Sequence, residues 1–228
     1  MAGSMTEVPV NGGTLPAYVS LPPAGSGPGV VVIQEWWGLV PHIRNVADRL
    51  AAQGFVAIAP DLYHGKETTE PDEAGKLLME MRLDEAAKDM ASTVDALLAM
   101  PETTGEGVAV IGFCAGGGLA LYLASLKPEV RAAVCYYGFP REGLQWDLSA
   151  VKGAVLGHFA EHDDWANREL ADGMERELRD AGVDVTFHHY PGTTHAFFND
   201  DRPEVHDAEA AERSWERTLA FLHDRLGG

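Results

Sequence analysis

Cys114 stands where an apolar run, Val108-Ala109-Val110-Ile111-Gly112-Phe113, meets Ala115 and the glycines Gly116, Gly117 and Gly118. A strand that ends on a reactive side chain and turns at once into a helix bends so tightly that only small neighbours fit beside it, and the bend lifts the central side chain off the sheet. The pattern predicts a nucleophile elbow with cysteine in the place more often held by serine. A small buried cysteine fits the same residues, since burial is the common fate of that residue type. A thiol also needs a base within reach, or electrostatic support for its thiolate, before it attacks anything. The helix opening after Cys114 supplies part of this, because its positive end faces the sulfur.

The rest must come from elsewhere in the chain. Elbows of this kind are followed in sequence by an acid and then a histidine. An apolar run from Val151 to Phe159 leads into Ala160-Glu161-His162-Asp163-Asp164, which offers two neighbouring carboxylates. A later run, Val185 to Tyr190, leads through Pro191-Gly192-Thr193-Thr194 to His195, in a glycine-bearing loop beyond the carboxyl end of a strand, where open parallel sheets place their sites. A Cys-His-Asp set would have His195 take or share the thiol proton and return it to the leaving group, while the carboxylate orients the imidazole. Backbone amides of Ala115 and of the loop after the Val30–Gln34 run, at Trp36, are the expected oxyanion donors.

The elements that must position these groups alternate. Strands are expected over 15–21, 30–34, 55–59, 108–112, 132–136, 154–159 and 185–190, and helical patterns over 43–53, 71–100, 116–125, 167–181 and 204–226. Most strand candidates are continuous apolar runs, as in parallel strands covered on both faces. The expected fold class is therefore α/β, a doubly wound, mostly parallel sheet with helices on both faces. The stretch from Gly107 to Leu126 carries no charge and is long enough to cross a bilayer, but its glycines divide it into a strand half and a helix half. Residues 1–5 read as an artificial extension ahead of a natural start at Met5, leaving 6–228 as one domain.

At 228 residues with 46% hydrophobic content, the chain can bury the core of a single domain. Its 17 basic residues against 35 acidic ones give a net charge of −18, a field that repels nucleic acid and acidic lipid surfaces. Two cysteines, Cys114 and Cys135, are too few for a disulfide framework, and bridging them would consume the nucleophile. With no secretory signal in the sequence, the expectation is a cytoplasmic protein, monomer or homodimer. The histidines lack a zinc framework, and the glycine cluster lacks the Lys-Ser/Thr of a phosphate loop, so neither metal nor cofactor is expected.

Four segments in order resemble the dienelactone hydrolase family of the α/β-hydrolase superfamily. They are Gly112-Phe113-Cys114-Ala115-Gly116-Gly117, Gln34-Glu35-Trp36-Trp37-Gly38, Pro60-Asp61-Leu62-Tyr63, and Tyr190-Pro191-Gly192 leading to His195-Ala196-Phe197-Phe198. The resemblance implies the α/β-hydrolase fold and a hydrolase cleaving small-molecule esters or lactones through Cys114, Asp163 and His195. It prefers Asp163 over Asp164 by the place of the acid in its loop. It also implies that Glu35 hydrogen-bonds the resting thiol and that Trp37, Tyr63, Phe197 and Asn199 face the substrate. The family holds a substrate carboxylate with arginines, one of them at the position of Asn199, and only Arg82 or Arg202 is otherwise placed to do so. That departure points to neutral activated esters and lactones, aryl esters among them, with neutral phosphotriesters as a second class, rather than to the dienelactone itself. Two other classes compete: a thiol redox protein, which would want a second cysteine close by, and a catalytically dead hydrolase fold used for binding.

Overall fold

The computed structural model describes residues 2–10, 12–141, 144 and 146–227. Its sheet has eight strands: β1 (Ser4–Val10), β2 (Gly13–Ser20), β3 (Gly27–Ile33), β4 (Val56–Pro60), β5 (Thr103–Phe113), β6 (Val130–Tyr136), β7 (Ala154–His162) and β8 (Val185–Thr194). They lie in the order β1-β2-β4-β3-β5-β6-β7-β8, with β1 and β2 antiparallel and the six others parallel to one another. Six helices complete the fold: α1 (Pro41–Ala52), α2 (Pro71–Glu80), α3 (Leu83–Ala99), α4 (Ala115–Leu126), α5 (Arg168–Asp180) and α6 (Ala208–Leu226). This is the α/β-hydrolase architecture.

The central strands are apolar throughout because helices cover both of their faces; every residue of β4, and Val30 to Ile33 of β3, is buried. The charge-free stretch resolves as expected into the end of β5 and all of α4. No described helix is long and apolar enough to cross a membrane.

Two expectations change. Residues 3–5 belong to the fold: Ser4 and Met5 pair with Val19 and Tyr18 in the sheet, and the Gly3 amide donates to Asp48 Oδ1 at 2.9 Å. The helical pattern over 71–100 is two helices, because Met81 and Arg82 take extended backbone. Neither residue is a glycine or proline, so the break leaves no mark on the sequence.

Strand register does most of the positioning. The sheet order turns back between β3 and β5, which are hydrogen-bonded neighbours, and in such sheets the crevice at that reversal lies at the carboxyl ends of the strands. Phe113 at the end of β5 pairs with Tyr136 at the end of β6, so Cys114 and Tyr137 leave the sheet side by side. His162 pairs with Thr194 across an irregularity in β7 and β8, so Asp163 and His195 are the next residue on each chain. An acid and a base 32 residues apart in sequence are thereby adjacent.

Candidate active site

Cys114 leaves β5 with φ 55° and ψ −120°, a backbone conformation that a residue with a side chain adopts only under constraint. The constraint is visible in its glycines. A Cβ on Gly112 would lie 1.9 Å from the Gly116 carbonyl oxygen, and one on Gly116 would lie 2.3 Å from that of Gln34. The elbow is thus pressed against the end of β3, and the turn that follows β3, Glu35-Trp36-Trp37-Gly38, closes with the Gly38 amide donating to the Glu35 carbonyl at 3.3 Å. The Cys114 side chain is half-buried rather than sealed in the core. Its amide donates to the Tyr136 carbonyl, and Ala115 opens α4, where the first amides have no acceptor within the helix.

His195 Nδ1–H donates to Asp163 Oδ2 at 2.7 Å. The other oxygen of Asp163 accepts the amides of Trp165 at 2.9 Å and Ala166 at 2.8 Å. Asp163 is buried and Asp164 is exposed, so only the former meets the imidazole. Burial opposes ionising Asp163, but hydrogen bonding to His195, its charge and the two amides hold the carboxyl below its usual range. Burial likewise opposes charging His195. Its bond to Asp163, the nearby Cys114 and the two negative charges outweigh burial and push the imidazole up to about 10. Nε2, the nitrogen left to handle a proton, is buried and has no hydrogen-bond partner among the described residues.

Glu35 lies at the end of β3 and is only 2% exposed, so it is no solvated loop carboxylate. The expected bond to the thiol is absent: Oε2 accepts Asn199 Nδ2–H at 2.7 Å, and Oε1 has no partner among the described residues. Asn199 is thus committed to Glu35. It is buried, ties down Glu35 with its amide, and accepts the Asp201 amide at 3.1 Å. Phe197 is fully buried against Tyr137 and Tyr190 at ring separations of 5.5 and 5.0 Å. Trp37 and Tyr63 are nearly buried, and Trp36 is half-buried. Arg202 lies over the Trp37 ring at 5.2 Å, whereas Arg82 is spent on Asp84 and Glu85 at the surface.

Tyr137 escaped the sequence reading. Its φ of 38° is again in the left-handed region, its ring stands edge-on to His195 at 5.1 Å, and its buried hydroxyl lacks a partner among the described residues. Burial first, then the carboxylate of Glu35 and the sulfur of Cys114, push that hydroxyl well above its usual value. Only the strand pairing of Phe113 with Tyr136 could have found it.

Cys135 is fully buried, as expected of core packing, and its thiol donates to the Gly138 carbonyl at 3.1 Å. Burial pushes it up to about 12. Both cysteines are free. Among the described residues no three His, Cys, Asp or Glu side chains are grouped to hold a metal ion. The adjacent His188 and His189 point apart: one stacks on His158, the other bonds Asp172 of α5.

Two surface hollows, of about 270 Å³ beside Glu161, Arg168 and His189 and about 230 Å³ beside Tyr63, Met81 and Asp89, are not lined by Cys114, Asp163 or His195. Cys114, Asp163 and His195 lie instead at the carboxyl ends of β5, β7 and β8.

Residues 15–226 match the family model for the dienelactone hydrolase family. The protein usf of Aquifex pyrophilus is 38% identical over 231 residues, spanning 98% of this chain and 99% of its own. A protein of Aquifex aeolicus named "Putative carboxymethylenebutenolidase" is 36% identical over 98% of this chain and 99% of its own. Among solved structures, a dienelactone hydrolase-like promiscuous phosphotriesterase from metagenomic libraries superposes with a TM-score of 0.87 at 26% identity, covering 99% of each chain.

Proposed function

The chain belongs to the dienelactone hydrolase family, and from that premise we propose that it hydrolyses carboxylic esters or lactones through Cys114, His195 and Asp163. The observation that carries the reading is the 2.7 Å bond from His195 to Asp163, which leaves Nε2 unengaged on the side of the elbow. The Cys114 thiol proton passes to His195 Nε2, the sulfur attacks the carbonyl carbon, a C–S bond forms and the carbonyl π electrons move to oxygen. The amides of Ala115 and Trp36 are the donors for that oxygen; losing one such donor costs about 3 kcal/mol in transition-state stabilisation. When the intermediate collapses, the C–O bond to the leaving group breaks and the departing oxygen takes the Nε2 proton. Water then attacks the acyl-thiol, giving its proton to Nε2, and the carboxylic acid leaves as sulfur regains its electron pair.

Asn199 bears on substrate charge. A buried neutral amide committed to Glu35 offers a substrate carboxylate no cation, and the net charge of −18 adds repulsion. Neutral activated esters and lactones suit the site better than an anionic lactone. Neutral phosphotriesters are a second reading, supported by the activity named for the metagenomic structural neighbour and by the same absence of a carboxylate clamp.

The test is a chromogenic acyl ester with intact-mass detection. The expected result is a transient acyl adduct on Cys114 and loss of turnover in Cys114→Ala. Full activity in that variant refutes the reading, and a protein inert toward ester, lactone and phosphotriester panels is a binding module on a hydrolase frame.

A further inference from the structure

Trp165 is 69% exposed, although tryptophan is on average highly buried. It is nonetheless held in place. Its amide donates to Asp163 Oδ1 at 2.9 Å, so one carboxylate fixes both His195 and the start of this residue. The indole stands edge-on to the His195 ring, with centroids 5.1 Å apart and planes at 83°. Trp36 is next, 6.4 Å from Trp165 and itself 4.8 Å from Trp37. The mechanism above uses none of these side chains.

The route of the proton decides which part of a substrate meets them. His195 must deliver Nε2–H to the leaving oxygen, so the group bonded to that oxygen lies against the imidazole as the C–O bond breaks. The carbonyl oxygen points elsewhere, toward the amides at Ala115 and Trp36. Trp165 is an exposed apolar surface in contact with that imidazole. We propose that Trp165, flanked by Trp36, is a specificity-determining residue that seats an aromatic leaving group. Indole and aryl rings attract one another in stacked and edge-to-face arrangements beyond the area they bury. The preferred substrates are then aryl esters, with the ring on the alcohol side. The inference rests on the thiol-hydrolase reading above and deepens it.

Three esters separate the possibilities: phenyl acetate carries a ring on the leaving side, hexafluoroisopropyl acetate is activated without a ring, and hexafluoroisopropyl benzoate carries a ring on the acyl side only. In Trp165→Ala, kcat/KM for phenyl acetate should fall about 5-fold or more, mainly through KM, with the other two esters within about 2-fold of wild type. Trp165→Phe should recover most of the loss. An equal loss on all three esters, or a changed pH profile, makes Trp165 only a support for His195 and overturns the proposal. No loss on phenyl acetate, or a selective loss on the benzoate, overturns it as well. Cys114→Ala distinguishes the two levels: if it turns over all three esters at wild-type rates, the underlying reading fails and takes this one with it. If it is inactive while Trp165→Ala shows no selectivity, only the leaving-group seat is lost.

Discussion

His158 in β7 is fully buried with both ring nitrogens hydrogen-bonded, whereas His195 just beyond β8 is half-buried with one, and the two carry opposite charge preferences. His158 is fully buried, with Nδ1 2.8 Å from the Tyr190 hydroxyl and Nε2 3.0 Å from Thr218 Oγ1. Arg217 donates to that tyrosine at 3.1 Å, which leaves the hydroxyl proton to point at Nδ1, so a neutral imidazole with Nε2–H satisfies every member of the network. Burial, then His188 and Arg217, hold His158 well below the usual histidine value. His195 has a carboxylate on one nitrogen and a thiol near the other, and the balance reverses. Burial alone does not decide whether a histidine is a proton carrier; the charge of its partners does.

The sharpest way to break this contrast is Asp163→Asn, which gives His195 a neutral partner like those of His158. Ester turnover should fall by about 10³–10⁴-fold, as in triads whose imidazole loses its orienting carboxylate, and NMR titration should show the imidazole value dropping. Unchanged turnover would remove Asp163 from the chemistry.

Replacing the other histidine should move stability instead. His158→Phe leaves the hydroxyls of Tyr190 and Thr218 without their central partner, a loss of about 2–4 kcal/mol in urea unfolding, while kcat of the folded protein stays within about 2-fold. A large loss of kcat with stability intact would make His158 part of the site.

The two residues should also act at opposite ends of the pH scale. His195, raised from 6.5 to about 10, contributes its full stabilisation below the unfolded value, and that contribution is lost as pH climbs through its folded value. His158 is depressed, so below about 6.5 the unfolded chain takes up a proton that the folded one refuses, and stability falls with pH. Asp163, also depressed, adds to the acid loss as pH falls through its folded value. Melting across pH should therefore show His195→Gln flattening the alkaline limb and His158→Phe flattening part of the acid limb. Effects on the same limb would contradict the assignment.

The smallest effect concerns Glu35, another buried ionisable side chain, whose one side-chain partner among the described residues is a neutral amide. Asn199→Ala should cost about 1–3 kcal/mol of stability and alter ester turnover less than Asp163→Asn does. A deeper loss of turnover would place Glu35 closer to the reacting atoms than its bond to Asn199 implies.

What was legible in the sequence followed from local constraint. The elbow could be read because sterics demand Gly112 and Gly116 around Cys114, and the strands of the sheet's centre because continuous burial leaves no polar residue in them. The acid and histidine could be nominated by order along the chain, and the resemblance chose between Asp163 and Asp164. Other features, like the break between α2 and α3, were not legible. β1 is exposed at most positions and carries no apolar alternation to betray it. The bond between Glu35 and Asn199 joins residues 164 apart, set by how two loops meet and not by either loop's composition. Trp165 and Tyr137 matter for where they stand, and residue type alone announces neither.

Cys135 has a practical corollary. A second thiol locked against a backbone carbonyl, and ionised only near pH 12, is silent to alkylating reagents under mild conditions, while the half-exposed sulfur of the elbow is not. The protein thus carries a single chemoselective handle, and whole-protein mass after mild labelling with excess iodoacetamide should show one adduct per molecule whose elbow thiol is free, without engineering a tag.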